Sequence, residues 1–277
     1  MDDNKFNLKE ILSATGFRFN KNLGQNFLTD TNLLNAIVVD AGVEGSDTVV
    51  EIGTGAGTLT RSLAESAKKV FSFELDQKLK PVLDLTLQGF DNVEVVFRDV
   101  LKMSDEELTQ IVGGKFKVVA NLPYYITTPM IMRFLDSSLQ VQSLTVMVQK
   151  EVADRFVANP KSKDYAAITL AIEMCGECKV TRSVNRNMFF PSPNVDSAVV
   201  RIDIKKGKVD ESIFDRVKKL VHSAFAMRRK TLENNLSAAF GISKLEAGER
   251  MARAGIKAMA RGEELSLEDY KRLAKEF

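Results

Sequence analysis

Short runs rich in Val, Ile and Phe alternate with helix-length segments between residues 47 and 158, and this alternation limits the possible folds more than any other feature. The runs that predict strands are residues 47–52, 69–75, 93–97, 116–120 and 144–149. The segments that predict helices are residues 59–67, 77–87, 129–137 and 151–158. Such alternation favours a mostly parallel sheet with helices on both faces, so we predict an α/β fold.

The pattern changes after Ile204, where apolar residues recur at helical spacing and predict helices only. A basic segment, Lys205-Lys206-Gly207-Lys208, is a candidate linker at this point. We therefore predict one domain over residues 1–205 and a small, all-helical domain over residues 206–277. Ser266, with Asp269 three residues later, predicts the start of the last helix through a capping box.

Composition describes an ordinary globular chain, with 44% hydrophobic and 27% charged residues. No window approaches the roughly 18 consecutive apolar residues of a membrane span. The first residues, Met1-Asp2-Asp3-Asn4-Lys5, lack the basic and then apolar pattern of a signal peptide. We expect a cytoplasmic protein with no membrane partner.

Charge is unevenly distributed along the chain. Residues 201–277 contain 18 Lys and Arg against 12 Asp and Glu, whereas residues 1–200 contain 21 against 25. A basic C-terminal part is typical of a module that meets a polyanion. A solvated charged face would give the same pattern, so the motifs must decide.

The cysteines form a lone C-x-x-C pair, Cys175 and Cys178, and His222 is the only histidine. A structural zinc needs about four ligands, which these residues do not supply. We therefore predict no metal site and a structural role for the pair.

Glycines alternate in Glu51-Ile52-Gly53-Thr54-Gly55-Ala56-Gly57, directly after the first predicted strand. Alternating glycines let a backbone turn tightly and approach a bound molecule at the carboxyl edge of a sheet. The segment lacks the Gly-Lys-Ser/Thr of a P-loop, and the third glycine of the dinucleotide fingerprint is replaced by Thr58. An ordinary strand-to-helix turn remains the alternative.

Two carboxylates follow the next two predicted strands. Glu74 lies about 20 residues after the glycine loop, where an acidic residue in such folds accepts hydrogen bonds from ribose hydroxyls. Asp99 follows the third strand and could accept a hydrogen bond from an adenine amino group. Each could equally be a solvated loop carboxylate.

The tetrapeptide Asn121-Leu122-Pro123-Tyr124 follows the fourth strand. An aromatic ring can stack on a base while an Asn amide oxygen and a neighbouring carbonyl accept hydrogen bonds from an exocyclic amino group. This arrangement would present an amine for methylation, although Asn and Pro are also ordinary turn residues. Because the four motifs follow four successive strands of a parallel sheet, we expect them to meet at one edge.

These motifs together resemble the ribosomal RNA adenine N6,N6-dimethyltransferases, and among them the bacterial small-subunit branch. The segments that carry the resemblance are residues 21–28, the glycine loop, Glu74, Asp99, Asn121–Tyr124, Phe189–Val200 and Phe225–Leu232. The resemblance runs from about residue 20 to the C-terminus. One departure is Thr54, where the family often has Pro; this position sets turn geometry, so we expect cofactor binding to survive it.

The resemblance implies a class I, Rossmann-like methyltransferase that uses S-adenosylmethionine. On the matching positions it implies that Asn26 and Leu28 cover the cofactor, that Gly53 and Gly55 approach its methionine part, and that Glu74 and Asp99 bind its ribose and adenine.

For the substrate, the resemblance implies that Asn121 and the carbonyl of Leu122 hold the target N6, with Asn121 also beside the cofactor. Tyr124 and Phe189 would stack on the base. Phe189 could instead be a core residue, with Phe190 as the stacking ring.

The substrate implied is small-subunit (16S) ribosomal RNA, at two adjacent adenosines near its 3′ end, within the 30S subunit or its precursor. Arg228, Arg229 and Lys230 are the candidate RNA-binding residues, with a solvated helix face as the alternative. We expect a monomer. Two other functions stay open: the related large-subunit (23S) methyltransferase of the macrolide-resistance type, and a non-catalytic ribosome assembly factor on the same fold.

Overall fold

The computed structural model describes residues 8–19, 24–205, 207–227 and 229–277. The chain forms two compact units. One, the sheet unit, comprises the chain up to Lys150 and Val180–Ile202; the other, the helical unit, comprises Glu151–Lys179 and Asp203–Phe277. The predicted boundary near residue 205 thus differs from this division, because residues 151–179 group with the C-terminal helices.

The strands are β1 (Phe27–Leu28), β2 (Thr48–Ile52), β3 (Lys69–Phe73), β4 (Val93–Val96), β5 (Phe116–Asn121), β6 (Val141–Gln149), β7 (Gly176–Val184), β8 (Phe189–Phe190) and β9 (Ser197–Ile204). They form a seven-stranded sheet, in the order β4-β3-β2-β5-β6-β9-β7, and a two-stranded ribbon of β1 and β8. Pairing is parallel between β2 and β3, β3 and β4, β2 and β5, and β5 and β6. The predicted α/β class with a mostly parallel sheet is confirmed.

The helices in this part of the chain are α1 (Leu8–Ala14), α2 (Thr31–Asp40), α3 (Thr58–Ala64), α4 (Lys80–Thr86), α5 (Asp105–Val112), α6 (Thr127–Leu135) and α7 (Lys150–Phe156). The four from α3 to α6 connect the successive parallel strands from β2 to β6. The side chains of Asp30 and Ser104 accept the N–H groups of Leu33 and Glu107, in the first turns of α2 and α5, so both helices begin at capped positions. The predicted strands and helices all occur, and their ends shift by a few residues.

Two apolar clusters support the sheet unit. One contains Val70, Val119 and Val199, all fully buried, with residues of α2 and α3. The other joins Leu12 of α1 to residues of α4 and includes Phe27 of β1. Because β1 is held by this second cluster, it lies against the glycine loop that follows β2.

Two long strands of the seven-stranded sheet, β7 and β9, were not predicted. The burial of β7 is irregular, with Glu177 and Lys179 exposed and Val180 40% exposed. An apolar alternation is therefore missing from its sequence, and only pairing with β9 identifies it as a strand.

The helical unit has its own core. Its helices, in addition to most of α7, are α8 (Ala167–Cys175), α9 (Glu211–Ala226), α10 (Leu232–Phe240), α11 (Lys244–Arg253) and α12 (Leu267–Leu273). The buried Tyr165 and Tyr270 hydroxyls donate to the carbonyls of Leu265 and Gly262, at 3.0 Å each. Ser266 and Asp269 form the predicted capping box at the start of α12.

Within the described residues, no helix combines the length and apolar character that crossing a membrane requires. The same residues contain no cluster of three or more His, Cys, Asp and Glu side chains able to hold a metal. Cys175 ends α8 and Cys178 lies in β7. Burial raises the pKa of the Cys178 thiol to about 12, so this thiol stays protonated at neutral pH.

Candidate active site

The glycine loop joins β2 to α3 and shapes the floor of a cleft. Gly53 and Gly55 have φ of 81° and 56°, which L side chains rarely adopt. A Cβ on Gly55 would lie 3.1 Å from the Phe27 ring, whereas one on Gly53 would meet only the Asn121 carbonyl oxygen, at 3.8 Å. The loop is therefore closed against β1 at Gly55 and open at Gly53.

Glu74, one residue after β3, holds this loop in place. Its carboxylate accepts the N–H of Gly55 at 2.8 Å, and those of Leu75 and Asp76 at 2.7 and 2.8 Å. Burial nevertheless raises its pKa above the ordinary value. A carboxylate offers about four lone-pair sites, so at least one is left for a ligand hydroxyl.

Glu51, within β2, is a second buried carboxyl group. Its Oε2 accepts hydrogen bonds from Thr60 and Ser72, both at 2.6 Å, while Oε1 is buried and has no hydrogen-bond partner among the residues that the structure describes. Burial raises its pKa to about 8. The orphaned oxygen marks a place where a donor or cationic ligand would be favourable.

Asp99, the third carboxylate, follows β4 and begins a 3₁₀ turn. One of its oxygens accepts the Leu101 N–H at 3.0 Å, and the other lies 3.7 Å from the Lys102 ammonium. The side chain is 26% exposed. A partly exposed carboxylate at the end of a strand can still accept a hydrogen bond from a bound amine.

Asn121 ends β5, and its amide orientation is set by Asn26, the residue before β1. The Nδ2 group donates to the carbonyl oxygen of Asn26 at 3.1 Å. Oδ1 has no hydrogen-bond partner within the described part of the chain, so the acceptor end of the amide is the one left for a ligand. Leu122, the next residue, is buried with only 2% of its surface exposed.

The two predicted aromatic residues lie at the same cleft. Tyr124 is half-buried, and its hydroxyl lies 2.7 Å from that of Ser197. Phe189 is 5% exposed and pairs with Leu28 in the ribbon of β1 and β8. Phe190 is 37% exposed, its ring contacts Phe19 and Lys9, and it is not among the residues that line the cleft.

One cleft in the sheet unit contains all of these groups. Its empty space is about 1260 Å³ and opens to solvent. The predicted residues that line it are Asn26, Leu28, Gly53, Gly55, Glu74, Asp99, Asn121, Leu122, Tyr124 and Phe189. Glu51 adds a third carboxyl group, and Arg98, which pairs with Glu107, is the single cationic residue in the described lining.

Residues 16–277 match the family described as ribosomal RNA adenine dimethylase. The chain belongs to this family. It is 43% identical over 265 residues to the ribosomal RNA small subunit methyltransferase A of Clostridioides difficile, covering 95% of this chain and 92% of that protein. It is 46% identical to the protein of that name in Streptococcus pyogenes, covering 96% of this chain and 94% of that protein.

Solved structures agree with this membership. A dimethyladenosine transferase from Plasmodium falciparum has a TM-score of 0.75 at 26% identity and covers 89% of this chain and 95% of its own. The 23S rRNA methyltransferase ErmE has a TM-score of 0.70, also at 26% identity, and the match covers 91% of this chain and 99% of the ErmE chain. The dimethylase therefore has a class I methyltransferase fold and uses S-adenosylmethionine as methyl donor.

The cleft suits this cofactor. S-adenosylmethionine carries sulfonium and ammonium charges against a single carboxylate, so its net charge is positive. The cleft offers three carboxyl groups, one with an orphaned oxygen. The described lining contains no lysine and so lacks the cation that phosphate-binding loops employ. Both features favour a cationic ligand over a phosphorylated one.

The predicted RNA-binding residues lie in the helical unit. Arg229 and Lys230 are exposed in the connection between α9 and α10, and the Lys230 N–H donates to the Met227 carbonyl. Arg228 lies outside the described residues. The interpretation as a helix face is therefore wrong for Arg229 and Lys230, since α9 ends at Ala226.

Glu51 and Ser197 were given no role from the sequence, although both lie in segments singled out there. Glu51 belongs to the glycine motif, and its burial within β2 gives the signal that was missed. Ser197 belongs to the segment Phe189–Val200, but its contact with Tyr124 joins residues 73 apart. Periodicity and local motifs cannot report such a distant pair.

Proposed function

We propose that this dimethylase transfers methyl groups from S-adenosylmethionine to N6 of two adjacent adenosines near the 3′ end of small-subunit ribosomal RNA. The observation that carries the proposal is the free acceptor end of Asn121 beside Leu122, in the cleft that also holds Tyr124 and the carboxylates. The names of the bacterial relatives specify the small subunit. The substrate is then the 30S subunit or its precursor, in the cytoplasm, and the enzyme acts as a monomer.

The acceptors solve the main chemical difficulty of the reaction. The lone pair of an adenine N6 is delocalised into the ring, which makes the nitrogen a poor nucleophile. Asn121 Oδ1 and the Leu122 carbonyl would accept its two hydrogens and favour a pyramidal nitrogen whose lone pair points at the methyl group. Transfer then depends on positioning, and no histidine base is required.

Two rings would hold the base in place. An adenine edge is inaccessible in a stacked helix, so the target must be unpaired or flipped outward. Tyr124 and Phe189 both line the cleft and would stack on the flipped base. The position of Phe190 outside this lining favours Phe189 as the second ring.

The remaining residues would hold the cofactor, which supplies an electrophilic methyl group on its sulfonium. Asn26 and Leu28 of the β1 region would cover it, and Gly53 would leave room for its methionine part. Glu74 would accept hydrogen bonds from the ribose hydroxyls, and Asp99 would accept one from the adenine amino group. The domain roles follow: the sheet unit carries the chemistry, and the helical unit binds ribosomal RNA.

Arg228, Arg229 and Lys230 would contribute to this RNA binding by neutralising phosphates. Replacing all three by Ala should weaken binding to small subunits. The slope of the logarithm of the binding constant against the logarithm of the salt concentration should fall in magnitude by about 1 for each phosphate that is no longer neutralised. Affinity measured across a salt series tests this, with Lys80→Ala, at an exposed residue of the sheet unit, as the control. An unchanged slope would remove the three residues from the interface.

The decisive experiment is transfer of labelled methyl from S-adenosylmethionine to small ribosomal subunits from a strain that lacks the modification. Large subunits are assayed in parallel, and nucleosides from both are analysed. Dimethyladenosine confined to the small subunit supports the proposal. Label only in the large subunit would favour the macrolide-resistance type, and binding without label would favour a non-catalytic assembly factor.

A further inference from the structure

Ser197 is the first residue of β9, and its side chain is fully buried. Its hydroxyl lies 2.7 Å from the Tyr124 hydroxyl. A buried hydroxyl without a partner is unfavourable, so this pair is a fixed contact on which both side chains depend. The contact holds the far end of the Tyr124 ring, and the backbone turn after β5 holds the near end.

The residue before Ser197 anchors the segment that carries Phe189. The Asp196 side chain accepts the N–H of Arg186 at 3.0 Å, and its carbonyl accepts the N–H of Lys150 at 3.1 Å. The Ser192 hydroxyl also donates to the Arg186 carbonyl, at 2.9 Å. The loop between Arg186 and Asp196 is thus closed by hydrogen bonds at its base.

Neighbouring residues therefore hold both rings of the cleft: Ser197 holds Tyr124, and Asp196 holds the loop that contains Phe189. We propose that Ser197 is a positioning residue that sets the orientation of the Tyr124 ring against the target adenine, and that the second methyl transfer depends on it more than the first. This inference rests on the proposed function.

The difference between the two transfers follows from the chemistry of N6. In the first, the N6 lone pair forms a bond to the methyl carbon, the bond from that carbon to sulfur breaks, and its electrons stay on the sulfur of S-adenosylhomocysteine. The nitrogen then loses one proton to water. The product has one N–H group for the two acceptors, Asn121 and Leu122.

Stacking must therefore position the monomethylated base with one hydrogen bond fewer. A ring that is free to tilt would be tolerated while two hydrogen bonds hold the amino group. The same tilt would be tolerated less once only one hydrogen bond remains, because the base then moves with the ring and the N6 lone pair no longer points at the methyl group.

The test uses the full-length enzyme, unmodified small subunits and single-turnover conditions, with monomethyl- and dimethyladenosine separated at each time. In Ser197→Ala we expect the second step to slow about three- to tenfold more than the first, the range that one neutral hydrogen bond supplies. Monomethyladenosine should then accumulate. Tyr124→Phe, which keeps the ring, should slow the second step relative to the first by the same factor. The double variant should show no larger factor than either single variant.

The control is Thr181→Val, which removes another hydroxyl hydrogen bond of the sheet unit, from Thr181 to the Val199 carbonyl at 3.3 Å. Thr181→Val should leave the ratio of monomethyl- to dimethyladenosine unchanged. The melting temperature of each variant shows whether a slower step comes from lost stability instead of lost positioning. An unchanged ratio in Ser197→Ala, or additive effects in the double variant, would overturn the inference. Absence of small-subunit methylation by the wild-type enzyme would instead reject the proposed function.

Discussion

The two halves of the cleft are built from contacts of different range. In the cofactor half, formed by the glycine loop, Glu74 and Asp99, the side-chain hydrogen bonds join residues 1 to 21 positions apart, from Glu74 and Leu75 to Glu51 and Ser72. In the base half, formed by Asn121–Tyr124 and Phe189, they join residues 73 and 95 apart.

This difference indicates that the halves can be disturbed separately. The cofactor half is part of the consecutive strands β2, β3 and β4 and their turns. The base half depends on β9 and on β1 with the preceding Asn26, which come from opposite ends of the sheet unit's sequence. β1 also borders the cofactor half, where Phe27 lies against Gly55. Variants should therefore separate cofactor binding from base positioning. Of four predictions, in order of decreasing effect, three test that separation, and the fourth concerns a buried carboxyl group of the cofactor half.

Asn121→Ala should reduce methyl transfer about 10²-fold or more, the loss typical when a preorganised hydrogen-bonding group is removed from an active site. Cofactor affinity should change little, because the carboxylates and the glycine loop remain. Asn121→Asp, which keeps an acceptor but loses the donor to Asn26, is the matched comparison and should retain more activity. Turnover and cofactor binding are measured separately, and equal losses in both would contradict the two-half description.

Loss of either ring should weaken the base half alone. Tyr124→Ala and Phe189→Leu should each reduce kcat/KM about 10- to 100-fold, since stacking contributes about 1–3 kcal/mol per base. Leu keeps most of the apolar volume of the buried Phe189, so folding is preserved. Phe190→Ala should have little effect; a larger loss there than in Phe189→Leu would make Phe190 the stacking ring.

Glu74→Gln should weaken the cofactor half alone. We expect about a tenfold rise in the cofactor Kd, because hydrogen bonds to a charged acceptor exceed those to a neutral one and the Gly55 N–H also loses its charged partner. Asp84→Asn, at an exposed carboxylate paired with Lys80, is the control. Calorimetry with cofactor and, separately, with RNA measures both halves; a comparable loss of RNA affinity would show that the halves are not independent.

Glu51→Gln should change the pH dependence of stability. The pKa of Glu51 is raised from 4.5 to about 8 by burial, so the folded state holds its proton more tightly than the unfolded state. The stability that this proton contributes is fully present below pH 4.5 and is lost as the pH rises through about 8. Urea unfolding of both proteins across this range measures the difference; a difference independent of pH would show that folding does not raise the pKa of Glu51.

The sequence predicted most of the cofactor half, because each of its residues follows an apolar strand that periodicity reveals. Gly53, Glu74 and Asp99 line one cleft with Asn121 of the base half, as expected from parallel strands that end at one edge. The interpretation of Asn121 was sharpened by the structure, since only the contact with Asn26 determines which end of the amide is free.

The remainder depended on contacts that no local pattern reports. The ribbon of β1 and β8 pairs Leu28 with Phe189, and each of its strands is two residues long. β7 carries too many exposed charges to read as a strand. Residues 151–179 group with the helical unit through its packed core around Tyr165, which a boundary drawn from charge and linker composition cannot detect.

The orphaned Oε1 of Glu51 has a consequence for heat measurements. A cation that binds in this cleft stabilises the ionised carboxylate, so at neutral pH cofactor binding should release a proton to the buffer. The apparent binding enthalpy should then differ between phosphate and Tris by the difference in their ionisation heats, multiplied by the protons released. In Glu51→Gln that dependence on the buffer should disappear, which would assign the released proton to one side chain.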